Sequence, residues 1–205
     1  MTGFERDRRS GRIIATFTGF EADLLRSLAG QLVELLHNES ALPAEHADPL
    51  EAMLDFSGPT TEPEDPVLAR LFPTAYHDDE EAAAEFRRFT EGTLRDGKAA
   101  AASAVIDALE DAGLPPELTE EGLVIDVELD DAAAETWMKS FTDVRLAVAT
   151  RLGVEEGDEE YWETLDTAAA AGNADAESAR LAQVYGIYQW VGYLQETLVD
   201  ALSDV

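Results

Sequence analysis

The sequence contains no cysteine among its 205 residues. That absence excludes disulfide bonds, thiolate nucleophiles, thiolate metal ligands and thiol redox switches within this chain. Positive charge is also scarce, because 14 lysines and arginines stand against 44 aspartates and glutamates, giving a net charge of −30. Such a charge favours solubility, repels nucleic acid and anionic membranes, and favours a basic or neutral partner.

Long hydrophobic runs are missing as well. No segment approaches the roughly 20 apolar residues that span a bilayer. The opening MTGFERDRRSGR places no apolar segment after its charges, as a signal peptide would. We therefore expect a cytoplasmic protein that does not contact a membrane.

Signatures of catalysis and metal binding are not found. The chain has no G-x-S-x-G, H-E-x-x-H, P-loop or G-x-G-x-x-G motif. Its histidines, His37, His46 and His77, show none of the compact spacings of metal ligands, although His77 is followed by DDEE. Carboxylate pairs carry little information in so acidic a chain. We predict that the protein is not an enzyme and uses no metal or cofactor.

The chain is rich in helix-forming patterns. Leucines between Leu24 and Leu36 recur at three- and four-residue spacing, which predicts a helix that ends near His37–Asn38. Capping residues, glycines and prolines predict further helices at 65–72, 78–112, 131–152, 158–171 and 174–202. Tyrosines, tryptophan and aliphatic residues lie on more than one side of the last of these, so we expect it to be central.

Two segments read as strands. Residues 12–17 are β-branched and aromatic, and GLVIDVELD alternates apolar with polar or smaller residues. Residues 39–66 carry six proline or glycine interruptions around the brief helical island DPLEAMLDF, which predicts a long irregular connection. The resulting expectation is a mainly α protein: a single domain over residues 1–205, built as a helical bundle with a minor two-stranded β-sheet.

The stretch EFRRFTEGTLRDGK concentrates cations in an acidic chain. Its four cations are Arg87, Arg88, Arg95 and Lys98. One interpretation is structural: they join helices through contacts with acids. The other is functional: together with Arg70 they form a site for an anion or an acidic motif.

Helical spacing makes the structural interpretation specific. Arg88 and Arg95 are seven residues apart and so fall within about 20° of each other on a helix. We therefore predict that these two face inward, whereas Arg87 lies on the outer surface beside Glu91. Phe86 and Phe89 share a face and are expected to be buried.

Three blocks carry a resemblance to a known family: EDPVLARLFPTAYHDDEEAAAEFRRFTEGTLRDGK, TWMKSFTDVRLAVATRLGV and VYGIYQWVGYLQETLVDAL. In order and spacing they resemble the actinobacterial family of unknown function whose members are called AosR-like, actinomycete-specific oxidative-stress-sensing regulators. The resemblance extends over essentially the whole chain. It implies a cytoplasmic regulator that acts on transcription during oxidative stress by contacting other proteins. The arginine-rich blocks of the family fall here on Arg70, Arg87, Arg88, Arg95, Lys98, Arg145 and Arg151.

The expected function is therefore regulation through protein–protein contacts, with the transcription machinery as a candidate partner and self-association left open. Two alternatives stay open. A DNA-binding transcription factor would need a basic recognition helix, and residues 85–98 are the best candidate although acids interrupt them. An anion- or small-molecule-binding regulator would use the arginine cluster. Without cysteine, this chain can sense oxidants only through a partner, or it does not sense them.

Overall fold

The structure, a computed structural model, describes residues 3–38, 58–118, 122–155 and 157–204. Helices dominate these ranges, which confirms the prediction of a mainly α protein. The elements are β1 (Glu5–Arg6), β2 (Ile13–Thr18), α1 (Gly19–Asn38), α2 (Pro66–Leu71), α3 (Glu80–Asp111), β3 (Val124–Leu129), α4 (Asp131–Leu152), α5 (Glu159–Ala170) and α6 (Ala176–Ser203).

The connection predicted at 39–66 is described only in part. Residues 58–65 contain no helix or strand, as expected. The island DPLEAMLDF lies outside the described residues.

Side-chain caps fix where several helices begin. Asp65 accepts hydrogen bonds from the backbone N–H groups of Val67, at 2.8 Å, and Leu68. Asp79 and Asp130 cap α3 and α4 in the same way. At the other end of α4, Gly153 takes a positive φ of 72°, a conformation that glycine adopts at little cost. The aspartate caps act on backbone groups two or three residues away, so they are local signals of where a helix begins.

The described sheet is antiparallel and has three strands in the order β1–β2–β3, so the prediction of two strands was wrong. The missed strand, β1, has only two residues, too few to show an alternating pattern. Tertiary contacts hold it instead. The backbone N–H of Phe4 donates to Thr197 Oγ1 at 3.1 Å, and Arg6 Nε donates to the carbonyl of Ala201 at 2.9 Å.

The core lies between the sheet and the helices. In the β2–β3 ladder, Ala15 pairs with Val127 and Phe17 pairs with Ile125, and all four side chains are buried. Aromatic rings join the sheet to α4, because Trp137 stacks on Phe17 of β2 at 6.5 Å and meets Phe4 edge to face at 5.7 Å between ring centroids. Aromatic pairs in this geometry add stability beyond the area that they bury.

The helices form an incomplete bundle. Helices α1 and α3 run antiparallel, since Arg26 near the start of α1 binds the Pro115 carbonyl after α3, whereas Leu36 near its end meets Arg95. Helix α4 packs on α1, α2, α3 and α6. Helix α6 lies at the side, against α4, α5 and the sheet, rather than at the centre as expected. Because α1 and α6 barely touch each other, a groove stays open between them above α4.

Candidate functional site

A buried ionic triad accounts for two of the four cations in residues 85–98. Glu91 is only 2% exposed, and its two carboxylate oxygens each accept from a different arginine. Arg87 Nη1 donates to Oε2 at 2.6 Å, and Arg95 Nη2 donates to Oε1 at 2.7 Å. The three residues are four positions apart, so they form one ridge along α3. Charge-assisted bonds of this length are the strong kind in proteins.

The two arginines of the triad also bind the ends of neighbouring helices. Both terminal nitrogens of Arg87 donate to the carbonyl of Phe72, the C-cap of α2, at 3.1 Å. Arg95 Nη1 donates to the carbonyl of Leu36, in the last turn of α1, at 3.0 Å. Helix C-termini carry carbonyls without helical donors and a partial negative charge, which guanidinium groups complement. The triad therefore fastens α1 and α2 to α3.

Lys98 extends this network to α4. Its ammonium lies 2.6 Å from Oδ1 of Asp143, a buried residue of α4. The Phe72 ring lies beneath both Arg95 and Lys98, at 4.7 and 5.9 Å from the ring centroid. Cations over an aromatic face are attracted to it, more strongly where water is excluded. For Arg87, Arg95 and Lys98 the structural interpretation accounts for the charge.

The prediction for Arg87 and Arg88 was wrong, because Arg87 is buried and Arg88 is exposed. The angular argument placed Arg88 and Arg95 correctly on one side of α3. However, Arg95 lies beside the last turn of α1, and Arg88 lies about 10 Å further along the helix axis, past the point where α1 ends. No neighbouring helix covers that position among the described residues.

The other predicted site residues are scattered. Arg145 donates to Gln195 at 2.8 Å and lies over the Tyr188 ring, joining α4 to α6. Arg151 pairs with Asp65 at 2.6 Å and so joins α4 to the start of α2. Arg70 is exposed on α2. The seven predicted cations thus do not converge on one anion site, and Arg70 and Arg88 are the two that extend into solvent without a described acidic partner.

An exposed aromatic patch lies beside Arg88, which contacts it through Phe89, and the sequence did not predict it. Tyr76, Phe86 and Phe89 are 49%, 44% and 57% exposed, so the expectation that the two phenylalanines are buried was wrong. Tyr76 and Phe86 meet edge to face at 5.8 Å, and the Arg88 guanidinium lies 4.9 Å from the centre of the Phe89 ring. The ridge through Arg87, Glu91 and Arg95 is the buried one, and the two phenylalanines lie on the opposite side of α3.

The groove between α1 and α6 is the second candidate site. It has a volume of about 840 Å³ and is lined mainly by aliphatic side chains from α1, α4 and α6. Six polar residues also line it: Gln31, Glu34, Asn38, Arg151, Glu177 and Arg180. All six are exposed and so form its rim rather than its floor. Apolar concave surfaces with polar edges are typical of binding sites.

Asp65, which pairs with the groove-lining Arg151, has a shifted pKa. Burial alone would raise its pKa, but the Arg151 guanidinium and the two capped backbone N–H groups outweigh that effect. The net result is a pKa below the usual value for aspartate. The Asp65 carboxylate is therefore kept charged as both a helix cap and an ion-pair partner.

Across the parts of the chain that the structure describes, no three acidic or histidine side chains are grouped so that they could hold a metal ion. Within the same ranges, no helix has the length and apolar character needed to cross a bilayer.

Comparison with known proteins shows the family of this chain. The family described as Domain of unknown function (DUF2017) matches residues 1–202. The chain belongs to this family. Proteins named "Oxidative stress regulator AosR" from Mycobacterium tuberculosis (strain ATCC 25618 / H37Rv) and Mycobacterium bovis are 29% identical to it over 210 residues, which cover 95% of this chain and 84% of theirs.

A Mycobacterium leprae relative, also named for oxidative stress regulation, is 30% identical over 196 residues, covering 89% of this chain and 78% of its own length. The resemblance to AosR-like regulators noted in the sequence is thereby confirmed. No solved structure matches the chain.

Proposed function

We propose that this DUF2017 protein is a non-enzymatic cytoplasmic regulator that acts in the response to oxidative stress by contacting other proteins. The observation that carries the proposal is the similarity, along 95% of the chain, to proteins named as oxidative stress regulators. The absence of cysteine indicates how the oxidant signal would reach this protein. Because this chain has no thiol to oxidise, the oxidant signal reaches it through another protein.

The way the cations are used supports protein contacts over DNA contacts. Duplex DNA is bound through phosphate contacts from exposed lysines and arginines. In residues 85–98, the best candidate for a recognition helix, Arg87 and Arg95 are buried against Glu91, and Lys98 is paired with Asp143. Only Arg88 of the four extends into solvent. Direct DNA binding is therefore less well supported than contact with another protein.

The aromatic patch of Tyr76, Phe86 and Phe89, with Arg88 over the Phe89 ring, supplies the contact surface. Aromatic residues and arginine are the types most enriched where alanine substitution weakens protein interfaces. Exposed acids border the patch, among them Asp78 and Glu85. With the overall charge of −30, this border selects a partner with a basic surface and disfavours a second copy of the chain.

Quantitative affinity capture from the native host tests this function. Wild-type protein is compared with Phe86→Ser combined with Phe89→Ser, and with Phe20→Ser as the matched control. Phe20 is 69% exposed and lies at the start of α1, far from the patch. We expect the double variant to lose a partner that the wild type and the control both retain.

The physiological arm uses a strain that lacks the gene. We expect its transcriptional response to peroxide to change, and to be restored by the wild type but not by the patch variant. An unchanged response in the deletion strain would reject the regulatory function. Restoration by the patch variant would reject the contact surface.

A further inference from the structure

The groove between α1 and α6 is a position in the bundle that no described helix fills. Helix α4 forms its floor with Val148 and Leu152, while Leu28 and Leu35 of α1 and Leu181 and Val184 of α6 form its walls. These six side chains are half-buried. Covering the apolar area that they still expose would favour binding, because apolar surface removed from water stabilises a complex.

The dimensions of the groove suit a helix. Its lining on α1 extends from Leu24 to Asn38, or about 21 Å at 1.5 Å per residue. A helix of about 14 residues has that length and would contact all three surrounding helices. Small-molecule sites place polar groups where they converge on the ligand, whereas here the polar side chains are exposed at the rim. An apolar trough with a polar rim is the geometry in which amphipathic helices bind.

Charge at the rim indicates the chemistry of that helix. Glu34 on α1 and Glu177 on α6 place one carboxylate on each wall. Of the two rim arginines, Arg151 is already paired with Asp65 at 2.6 Å, which leaves Arg180 as the one rim cation against these two carboxylates among the described lining residues. With a net charge of −30 around it, the groove attracts a cationic segment and repels another copy of this chain.

We propose that this groove binds a basic amphipathic helix of a partner protein, with its leucine-like face on α4 and its lysines or arginines at the rim. The inference deepens the protein-contact function proposed above, since it names a second surface and the chemistry that the surface recognises. Its test uses a synthetic probe and does not depend on the aromatic patch. The groove proposal can therefore be refuted while the regulatory function is supported, and the regulatory function can be refuted while the groove proposal is supported.

The probe is a fluorescent 14-residue peptide with leucines at i, i+3, i+4 and i+7 positions and lysines elsewhere. We expect saturable one-to-one binding to the full chain at physiological salt. A peptide of the same composition, ordered so that no helical apolar face forms, should bind at least ten times more weakly. So should a helix in which glutamates replace the lysines. Equal binding of the reordered peptide would show simple charge attraction, and no binding of the probe would show that the groove does not accept such a helix. Either result would overturn the proposal.

Matched substitutions on α6 locate the binding. Leu181 lines the groove, whereas Gln183, two residues along, is exposed and does not line it. We expect Leu181→Lys to weaken probe binding at least tenfold and Gln183→Lys to leave it unchanged. Both variants should keep the wild-type helical circular dichroism, which separates lost binding from lost folding. Equal effects of the two substitutions would place the probe elsewhere and overturn the proposal.

The absence of cysteine allows a direct trapping experiment. With a mild oxidant added to take up the two electrons, Leu181→Cys should form a disulfide with a probe that carries one cysteine on its apolar face, and Gln183→Cys should not. Under the same oxidant, a disulfide between two Leu181→Cys chains without the probe would assign the groove to a second copy. A photoreactive label attached to the thiol of Leu181→Cys that crosslinks to residues 39–57 of the same chain would assign the groove to an internal segment. Both of these outcomes overturn the proposal.

Discussion

The ionic triad on α3 yields the sharpest prediction for stability. Replacing Glu91 with alanine removes the acceptor of two charge-assisted bonds, at 2.6 and 2.7 Å, and leaves Arg87 and Arg95 buried without their carboxylate. Breaking a buried ion pair by removing one partner costs about 3–5 kcal/mol. We expect Glu91→Ala to lower the free energy of unfolding by that amount, measured by urea denaturation. For a chain of this size such a loss is a large share of the total stability, which is typically about 5–15 kcal/mol.

Arg88 provides the matched control on the same helix. It is exposed over the Phe89 ring, so Arg88→Ala should cost less than about 1 kcal/mol. Arg87→Ala should resemble Glu91→Ala, because it also removes the two donors that bind the Phe72 carbonyl. Near-equal, small losses for all three variants would refute the assignment of Arg87 and Glu91 to the interior.

A triple variant separates packing from charge. Arg87→Met, Glu91→Leu and Arg95→Met together replace the triad with apolar side chains of similar length. Buried ion pairs are often replaced in this way at little cost, because the desolvation penalty of the charges is also removed. We expect the triple variant to be more stable than Glu91→Ala alone. A triple variant less stable than Glu91→Ala would show that the helix-end contacts of the arginines, rather than charge balance, dominate.

Three further predictions concern acid, DNA and oxidants. Because the Asp65 pKa is lowered in the folded chain, its contribution is present above the unfolded value, near 3.9, and is lost as pH falls through the folded value. Asp65→Asn should therefore cost less than about 1 kcal/mol at pH 7, because asparagine still caps α2 and the lost pair with Arg151 is partly exposed, and the cost should shrink as pH falls, as compared by urea unfolding at each pH. At physiological salt the protein should shift duplex DNA no more than an acidic control protein does. A shift at submicromolar protein that Arg70→Glu with Arg88→Glu abolishes would contradict this. Mild peroxide should leave the thermal midpoint and oligomeric state nearly unchanged, since only methionine oxidation is available; a shift reversed by a thiol reductant alone would contradict that account.

Local signals in the sequence predicted most of the secondary structure. The Asp65, Asp79 and Asp130 caps act on backbone N–H groups two or three residues away, so the residues that place each helix start are adjacent in the chain. The inward face of β2 and β3 follows from alternation, and the register pairs Ala15 with Val127 as that pattern requires.

Features that depend on distant parts of the chain were not predictable in this way. Strand β1 has two residues and is held by Thr197 and Ala201, nearly 200 positions away. Arg87 is buried and Arg88 is exposed, the reverse of the prediction, and this error has a similar cause. Helical periodicity gives the direction of a side chain around the axis, but it does not tell where along that axis a neighbouring helix stops. Among the described residues no helix covers Arg88, because α1 ends at Asn38, and that is a fact about another element.

Helix α6 is apolar on more than one side, and the described bundle covers this surface only in part. Tyr185 stacks on Trp162 of α5 at 4.9 Å between ring centroids, and Val191, Leu194 and Leu198 are buried in the core. Nearer the start of the helix, Leu181, Val184 and Ile187 line the groove. An apolar surface on both sides of a helix is typical of a helix packed on both sides, which is why α6 was predicted to be central. The prediction of position was wrong, yet the pattern behind it points to the same conclusion as the groove: a second layer belongs on α6. In a chain without cysteine, a partner that supplies this layer could also bring the oxidant signal that the chain itself cannot detect through a thiol.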